Sequence, residues 1–221
     1  ASSGRPYLRV RSGPFISRSM SAANDSDETD LVPKFWREKY EAEARKNWDL
    51  FYKRNKTNFF RDRHWFRHSF PELLKDESQD GASERTLVLE LGCGVGNAVF
   101  PLLEENPRLF FYAVDFSKRA IDLLKEHPRY DVSDVQATVC DATCESLVTV
   151  GQVPAGSVDY AILCFVLSAI SPEKMAASLH NLRTVLKHGG RVLFRDYAVN
   201  DLAQQRFGNG HKLAHNFYVK S

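Results

Sequence analysis

The chain has 221 residues, 43% of them hydrophobic, with 30 Lys and Arg against 28 Asp and Glu for a net charge of +2. That is enough apolar material for one α/β core plus an extension, and no apolar run nears the ~20 residues that a bilayer-spanning helix needs, so a soluble protein with no membrane partner is expected. The four cysteines, Cys93, Cys140, Cys144 and Cys164, form no disulfide framework and have no paired histidine, so neither a zinc site nor another structural metal is expected, and a reducing, cytoplasmic compartment fits.

Residues 1–32 are rich in Ser, Gly and Arg, lack apolar periodicity and read as a disordered tail. Arg5, Arg9, Arg11 and Arg18, with no acid among the first 24 residues, fit an organelle-targeting peptide as well as an unstructured tail, which leaves nuclear or mitochondrial alternatives open. Residues 33–76 form a basic aromatic arm: positions 34–67 carry eleven Lys or Arg against five acids, and ten aromatic rings. Pro33 to Tyr52 reads as a helix and Asn55 to Trp65 as a loop. Cations for phosphates mixed with rings for bases suit an RNA-binding face, with Lys53, Arg54, Arg61, Arg63 and His64 turned outward. A helix packed as a lid, its charges merely solvated, explains the same pattern, and both hold together if Trp48 and Tyr52 face inward.

A polar linker over 76–84 leads into a domain over 84–221. Leu87-Val88-Leu89-Glu90-Leu91 reads as a strand covered on both faces, and Gly92, Gly94 and Gly96 remove the Cβ atoms that would keep a ligand from the backbone. Asn97 stands where the dinucleotide fingerprint places its third glycine, so the pattern is GxGxG, which favours S-adenosyl-L-methionine over a nicotinamide cofactor. A helix follows from Asn97 to Glu105. The next strand, Leu109 to Val114, ends at Asp115, where doubly wound sheets hold a carboxylate for ribose hydroxyls. After a helix from Lys118 to Lys125, the strand Val135 to Cys140 closes at Asp141, within reach of an adenine edge. Val158 to Val166 is the fourth strand, Pro172 to Leu186 a helix closed by Lys187-His188-Gly189-Gly190, and Arg191 to Arg195 the fifth strand. This alternation predicts an α/β fold, a doubly wound, mostly parallel sheet with its site at the carboxyl ends of the strands.

Glu90-Leu91-Gly92-Cys93-Gly94-Val95-Gly96-Asn97, Phe165-Val166-Leu167-Ser168-Ala169-Ile170, Phe194-Arg195-Asp196-Tyr197, Asn47-Trp48-Asp49-Leu50-Phe51-Tyr52-Lys53-Arg54-Asn55 and Asp62-Arg63-His64-Trp65 together resemble the methyltransferase-like tRNA 3-methylcytidine methyltransferases. The resemblance covers about residues 34–220, and the arm is most similar to the branch acting on serine tRNAs with seryl-tRNA synthetase. It implies a class I (Rossmann-like) S-adenosyl-L-methionine-dependent methyltransferase placing a methyl on N3 of an anticodon-loop cytidine. By motif position, Trp48 and Tyr52 would close over the cofactor, Gly92 would face its amino-acid end, Asp115 its ribose and Asp141 its adenine, and Cys164 would contact it through backbone. The class I fold ends in a further helix and an antiparallel hairpin, whereas only residues 196–221 follow the fifth strand. A C-terminally truncated domain whose fifth strand keeps an open edge is therefore expected.

Methyl transfer to a neutral cytosine N3 needs positioning of an extruded base more than a strong base catalyst. Asp196, at the end of the fifth strand, is the candidate to stabilise the cationic product, and Arg195 the candidate to bind the target phosphate, a structural pairing being equally plausible. Leu163-Cys164-Phe165-Val166 departs from the row used by amino-directed adenine enzymes. A nucleophilic Cys164, as carbon-5 cytosine methylation needs, is disfavoured by its apolar flank. A small-molecule or protein methyltransferase, and a non-catalytic tRNA-binding module, stay open as alternatives.

Overall fold

In the computed structural model the described residues are 31–74, 85–198, 200–207 and 210–219. The expected tail, up to residue 30, and the linker over 76–84 lie outside them. The body is one five-stranded sheet: β1 (Thr86–Leu91), β2 (Leu109–Asp115), β3 (Val135–Val139), β4 (Val158–Cys164) and β5 (Leu186–Arg195), in the order β3-β2-β1-β4-β5. Every neighbouring pair is parallel, and the order reverses beside β1, which opens a crevice between the carboxyl ends of β1 and β4. The last four residues of β1 and nearly all of β2 are buried. Successive side chains alternate between two apolar layers. Val88 joins Phe66, Val99, Leu102, Phe111 and Ile162 on one face, and Leu89 and Leu91 join Val114, Leu147, Leu163 and Val185 on the other.

The helices are α1 (Lys34–Ala42), α2 (Ala44–Asn55), α3 (Phe66–Ser69), α4 (Val99–Glu105), α5 (Lys118–Lys125) and α6 (Pro172–Val185). The expected continuous arm helix is therefore two, parted at Glu43. The helix after the glycine turn begins at Val99 and not at Asn97, because Asn97 is drawn to the arm. Lys187 to Gly190 does not simply close α6: it enters β5 as an irregularity in which Val158 pairs with Leu186 and Tyr160 with Arg191, Gly189 taking φ +83°. On α5, Ser117 is the N-cap and its Oγ accepts the Ala120 N–H at 3.1 Å.

A short hairpin, β6 (Lys212–Ala214) and β7 (Phe217–Tyr218), forms a sheet of its own. Leu213, Phe217 and Val219 pack with Val32 and Tyr40 at the base of the arm, and Arg37 donates toward the Leu213 carbonyl. Among the described residues β5 pairs only with β4, and Val192 and Phe194 on it are exposed. The small hairpin docks at the base of the arm and not on β5.

Candidate active site

A cavity of about 680 Å³ lies along the carboxyl ends of all five strands. The arm crosses it as a strap stitched to the body at one strand end after another. Glu41 pairs with Lys174 and accepts from Ser171 Oγ on the α6 side, and Arg45 lies 3.8 Å from both Asp141 and Glu145 beyond β3. Asp49 accepts from Ser117 Oγ at 2.6 Å and from the Arg119 N–H at 3.1 Å, so α2 supplies part of the cap of α5. Phe51 and Tyr52 then bury themselves against Val95, Ala120 and Leu123. The apolar face of α2 and the charged cap together fix the roof.

The floor under that roof is the glycine turn. Gly92 and Cys93 donate backbone N–H groups to the Val114 carbonyl at 2.7 and 3.1 Å, which aligns the ends of β1 and β2. Gly92 and Gly94 line the cavity with φ of +68° and +55°, and a Cβ on Gly94 would lie 2.8 Å from the Tyr52 hydroxyl oxygen. Gly94 is therefore bare because the roof descends onto it. Gly96, expected to bind cofactor, does not line the cavity: its missing Cβ makes room for Phe100 and Leu124. Trp48 and Tyr52 stack with ring centres 5.9 Å apart and line the roof.

Asp115 is buried at the floor, accepting the Gly94 N–H at 2.9 Å and the Ser117 N–H at 2.8 Å on separate oxygens. Burial pushes its carboxyl up to about 6, against the pull of those N–H groups and with a small push from Asp49. Burial, then Asp115, drives the Tyr52 phenol well above its ordinary value, so it stays protonated. Asp141 lines the cavity, its Oδ1 accepting from Thr143 N–H and Oγ1 at 3.0 and 2.6 Å. Cys164 lines it too, and burial pushes its thiol up to about 12, the state of an inert side chain and not of a nucleophile.

Three expected roles are redrawn. Arg63 does not point outward: it lines the cavity, donates to the Cys164 carbonyl at 3.2 Å and sits over the Phe165 ring. That carbonyl, expected to touch the cofactor, already has Arg63 as a donor. Asp196 does not line the cavity: its carboxylate accepts the Ser168 N–H at 3.0 Å and the Tyr197 N–H at 2.9 Å, which secures the turn after β4. Arg195 is likewise outside the lining, its guanidinium 4.0 Å from the Trp65 ring centre and donating to Ser69 Oγ. Of the other arm cations, Arg61 lines the rim, while Lys53, Arg54 and His64 are exposed away from it.

Asn97 and Glu90 are the residues whose parts the sequence did not disclose. Asn97 donates from Nδ2 to Asp62 Oδ1 at 3.1 Å and accepts the Arg63 N–H on its carbonyl at 2.8 Å, clasping the arm loop to the glycine turn. Its presence in a glycine's place was the signal. Glu90 is buried in β1 with Oε2 lacking a hydrogen-bond partner among the described residues. Burial carries its carboxyl up to about 8, Arg63 opposing and Asp115 adding to the rise. An acid inside an apolar strand was its signal.

A methyltransferase-domain family model matches residues 89–192. The chain is 53% identical over 190 residues to the tRNA N(3)-cytidine methyltransferase METTL6 of Mus musculus, covering 86% of this chain and 66% of that protein. It is 50% identical over 194 residues to the METTL6 protein of Pongo abelii, covering 88% of this chain and 67% of that one. With the tRNA N(3)-methylcytidine methyltransferase trm141 of Schizosaccharomyces pombe it shares 46% identity over 175 residues, 78% of this chain and 67% of the relative. It spans just under two thirds of the mouse protein's length. Among solved structures, the PH0226 protein of Pyrococcus horikoshii superposes with a TM-score of 0.47 at 23% identity, over 66% of this chain and 63% of that one.

Proposed function

Because this chain belongs to the tRNA N(3)-cytidine methyltransferase family, we propose that it methylates N3 of a cytidine in a tRNA anticodon loop with S-adenosyl-L-methionine, serine tRNAs being its substrates and seryl-tRNA synthetase a partner. The observation that carries the reading is the roofed chamber, in which Asp115 and the bare peptides of Gly92 and Gly94 lie under the stacked rings of Trp48 and Tyr52. The donor set suits the cofactor. A carboxylate with lone pairs to spare accepts ribose hydroxyls, glycine peptides admit close contact, Asp141 stands on the adenine side, and aromatic faces favour a cation.

When bound, S-adenosyl-L-methionine supplies a methyl carbon on a sulfonium whose leaving group is a neutral thioether. Everything else falls to the chain's side chains. Trp48 and Tyr52 exclude water. Asp115, ionised at neutral pH, binds hydroxyls as a carboxylate, and this grip weakens as the pH falls through about 6. A neutral cytosine N3 already has a free lone pair, so the residues at the far end need to orient a base and have no proton to remove. Exposed Lys53, Arg54 and His64, with Arg61 at the rim, form the cationic surface for tRNA phosphates. The four cysteines are all free, which suits the cytoplasm as the place of work.

Incubation with methyl-labelled S-adenosyl-L-methionine and bulk tRNA, followed by nucleoside analysis, is expected to put the label in 3-methylcytidine, enriched in serine tRNAs and increased by the synthetase. Label in another nucleoside, or in none while the cofactor binds, refutes the proposed reaction.

A further inference from the structure

Phe165 is a bulky residue held at φ +58°, in the left-handed region that side chains of its size rarely occupy. It follows β4 directly, and its ring lines the cavity. Several contacts maintain the conformation. Its N–H donates to the Arg195 carbonyl at 2.9 Å, its ring centre lies 4.9 Å from that of Tyr197, and the Arg63 guanidinium sits 5.5 Å from the ring centre while donating to the adjoining Cys164 carbonyl. The ring packs partly against the core under the sheet, and the left-handed turn presents its remaining surface at the end of the cavity opposite Asp115 and Asp141, which Tyr197 also lines.

The cavity crosses five strands spaced about 4.8 Å apart, so it reaches roughly 19 Å from end to end. A nucleoside-type cofactor seated on Asp115 and the glycine turn uses the β1 to β3 side and leaves the β4 to β5 side for a second occupant. We propose that Phe165, flanked by Tyr197 and held in place by Arg63, is the surface on which the extruded target base stacks. The proposal rests on the methyltransferase reading above. A ring suits a neutral, planar acceptor: it fixes the base plane without drawing on the N3 lone pair. Phe165 is thus a substrate-contacting positioning residue, and Arg63 acts through it.

The test uses an RNA anticodon stem-loop carrying a fluorescent cytidine analogue at the target position. Emission reports stacking, anisotropy reports stem-loop binding, and calorimetry reports S-adenosyl-L-methionine binding. The full chain is expected to quench the analogue on binding. Phe165→Leu, which keeps apolar bulk but has no π face, should bind cofactor as before yet fail to quench, with kcat/KM for tRNA down roughly 10- to 100-fold, the range expected for one base stacked on an aromatic. Phe165→Tyr should restore the quench. A Phe165→Leu protein that quenches like the parent overturns the stacking role and leaves the methyltransferase reading standing. A parent chain that binds cofactor but no stem-loop overturns the RNA reading and this proposal with it.

Discussion

At β1 and β2 the floor of the cavity is made of peptide groups and a buried carboxylate, whereas at β4 and β5 it is made of rings and a guanidinium. The first end is set by main chain: Gly92, Gly94 and Asp115 are held by hydrogen bonds that the sheet and α5 dictate. The second is set by side chains from distant segments, Arg63 from the arm, Phe165 after β4 and Tyr197 after β5. In the proposed reading, main-chain architecture takes what is constant, a nucleoside with its charged tail. Side chains assembled from three segments can be tailored to one acceptor, so losses at the two ends should fall on different measurements.

Asp115→Asn should have the largest effect. It removes the charge and turns an amide N–H toward the donors of Gly94 or Ser117, so cofactor affinity should drop about 100-fold or more by calorimetry, two charge-assisted hydrogen bonds being at stake. Stem-loop RNA affinity should hold within about threefold. If RNA binding collapses equally, the division between the two ends fails.

Glu90, buried in β1 within electrostatic reach of both Arg63 and Asp115, probes the support the two ends share. Its carboxyl is pushed from an ordinary 4.5 to about 8, so the unfolded chain releases this proton before the folded one does. The stability it confers is present below pH 4.5 and is lost as the pH climbs to about 8. Glu90→Gln should flatten that slope, gaining on the order of 4 kcal/mol over the parent at pH 8 and little at pH 5 in urea titrations. Parallel stability curves for parent and variant would refute the buried, protonated carboxyl.

Arg63→Ala should cost turnover about 10- to 30-fold, because the Cys164 carbonyl loses a charged donor and the Phe165 ring its support. Arg63→Lys should recover only part, since one ammonium cannot both reach the carbonyl and cover the ring. Cofactor affinity should change less than turnover, which single-turnover kinetics with calorimetry can establish. Asp196→Asn should do least: Asn caps nearly as well as Asp, so stability should fall by less than about 1 kcal/mol and turnover stay within about threefold. A large loss of turnover would return Asp196 to the chemistry.

Local pattern made most of the β1 to β3 end of the cavity legible. The strand ending in Gly92, the acid at the end of the next strand and the alternation of strands with helices are short-range signals, and the parallel sheet follows because crossovers and burial leave few other arrangements. The β4 to β5 end was not legible, and the reason is again physical. Arg63 reads as a surface cation until the Asn97 clasp turns its loop inward, and Asp196 reads as a charge at the mouth until the Ser168 N–H claims it. Gly96 reads like its two neighbours in the turn until Phe100 and Leu124 fill the space beside it. The sequence alone determined the order of strands and helices, the parallel sheet and the glycine turn with a carboxylate at the end of the next strand, because hydrophobic period and glycine freedom act over a few residues. Only the tertiary structure decided which charges face the cavity, because a side chain's direction depends on partners 28 to 101 positions away.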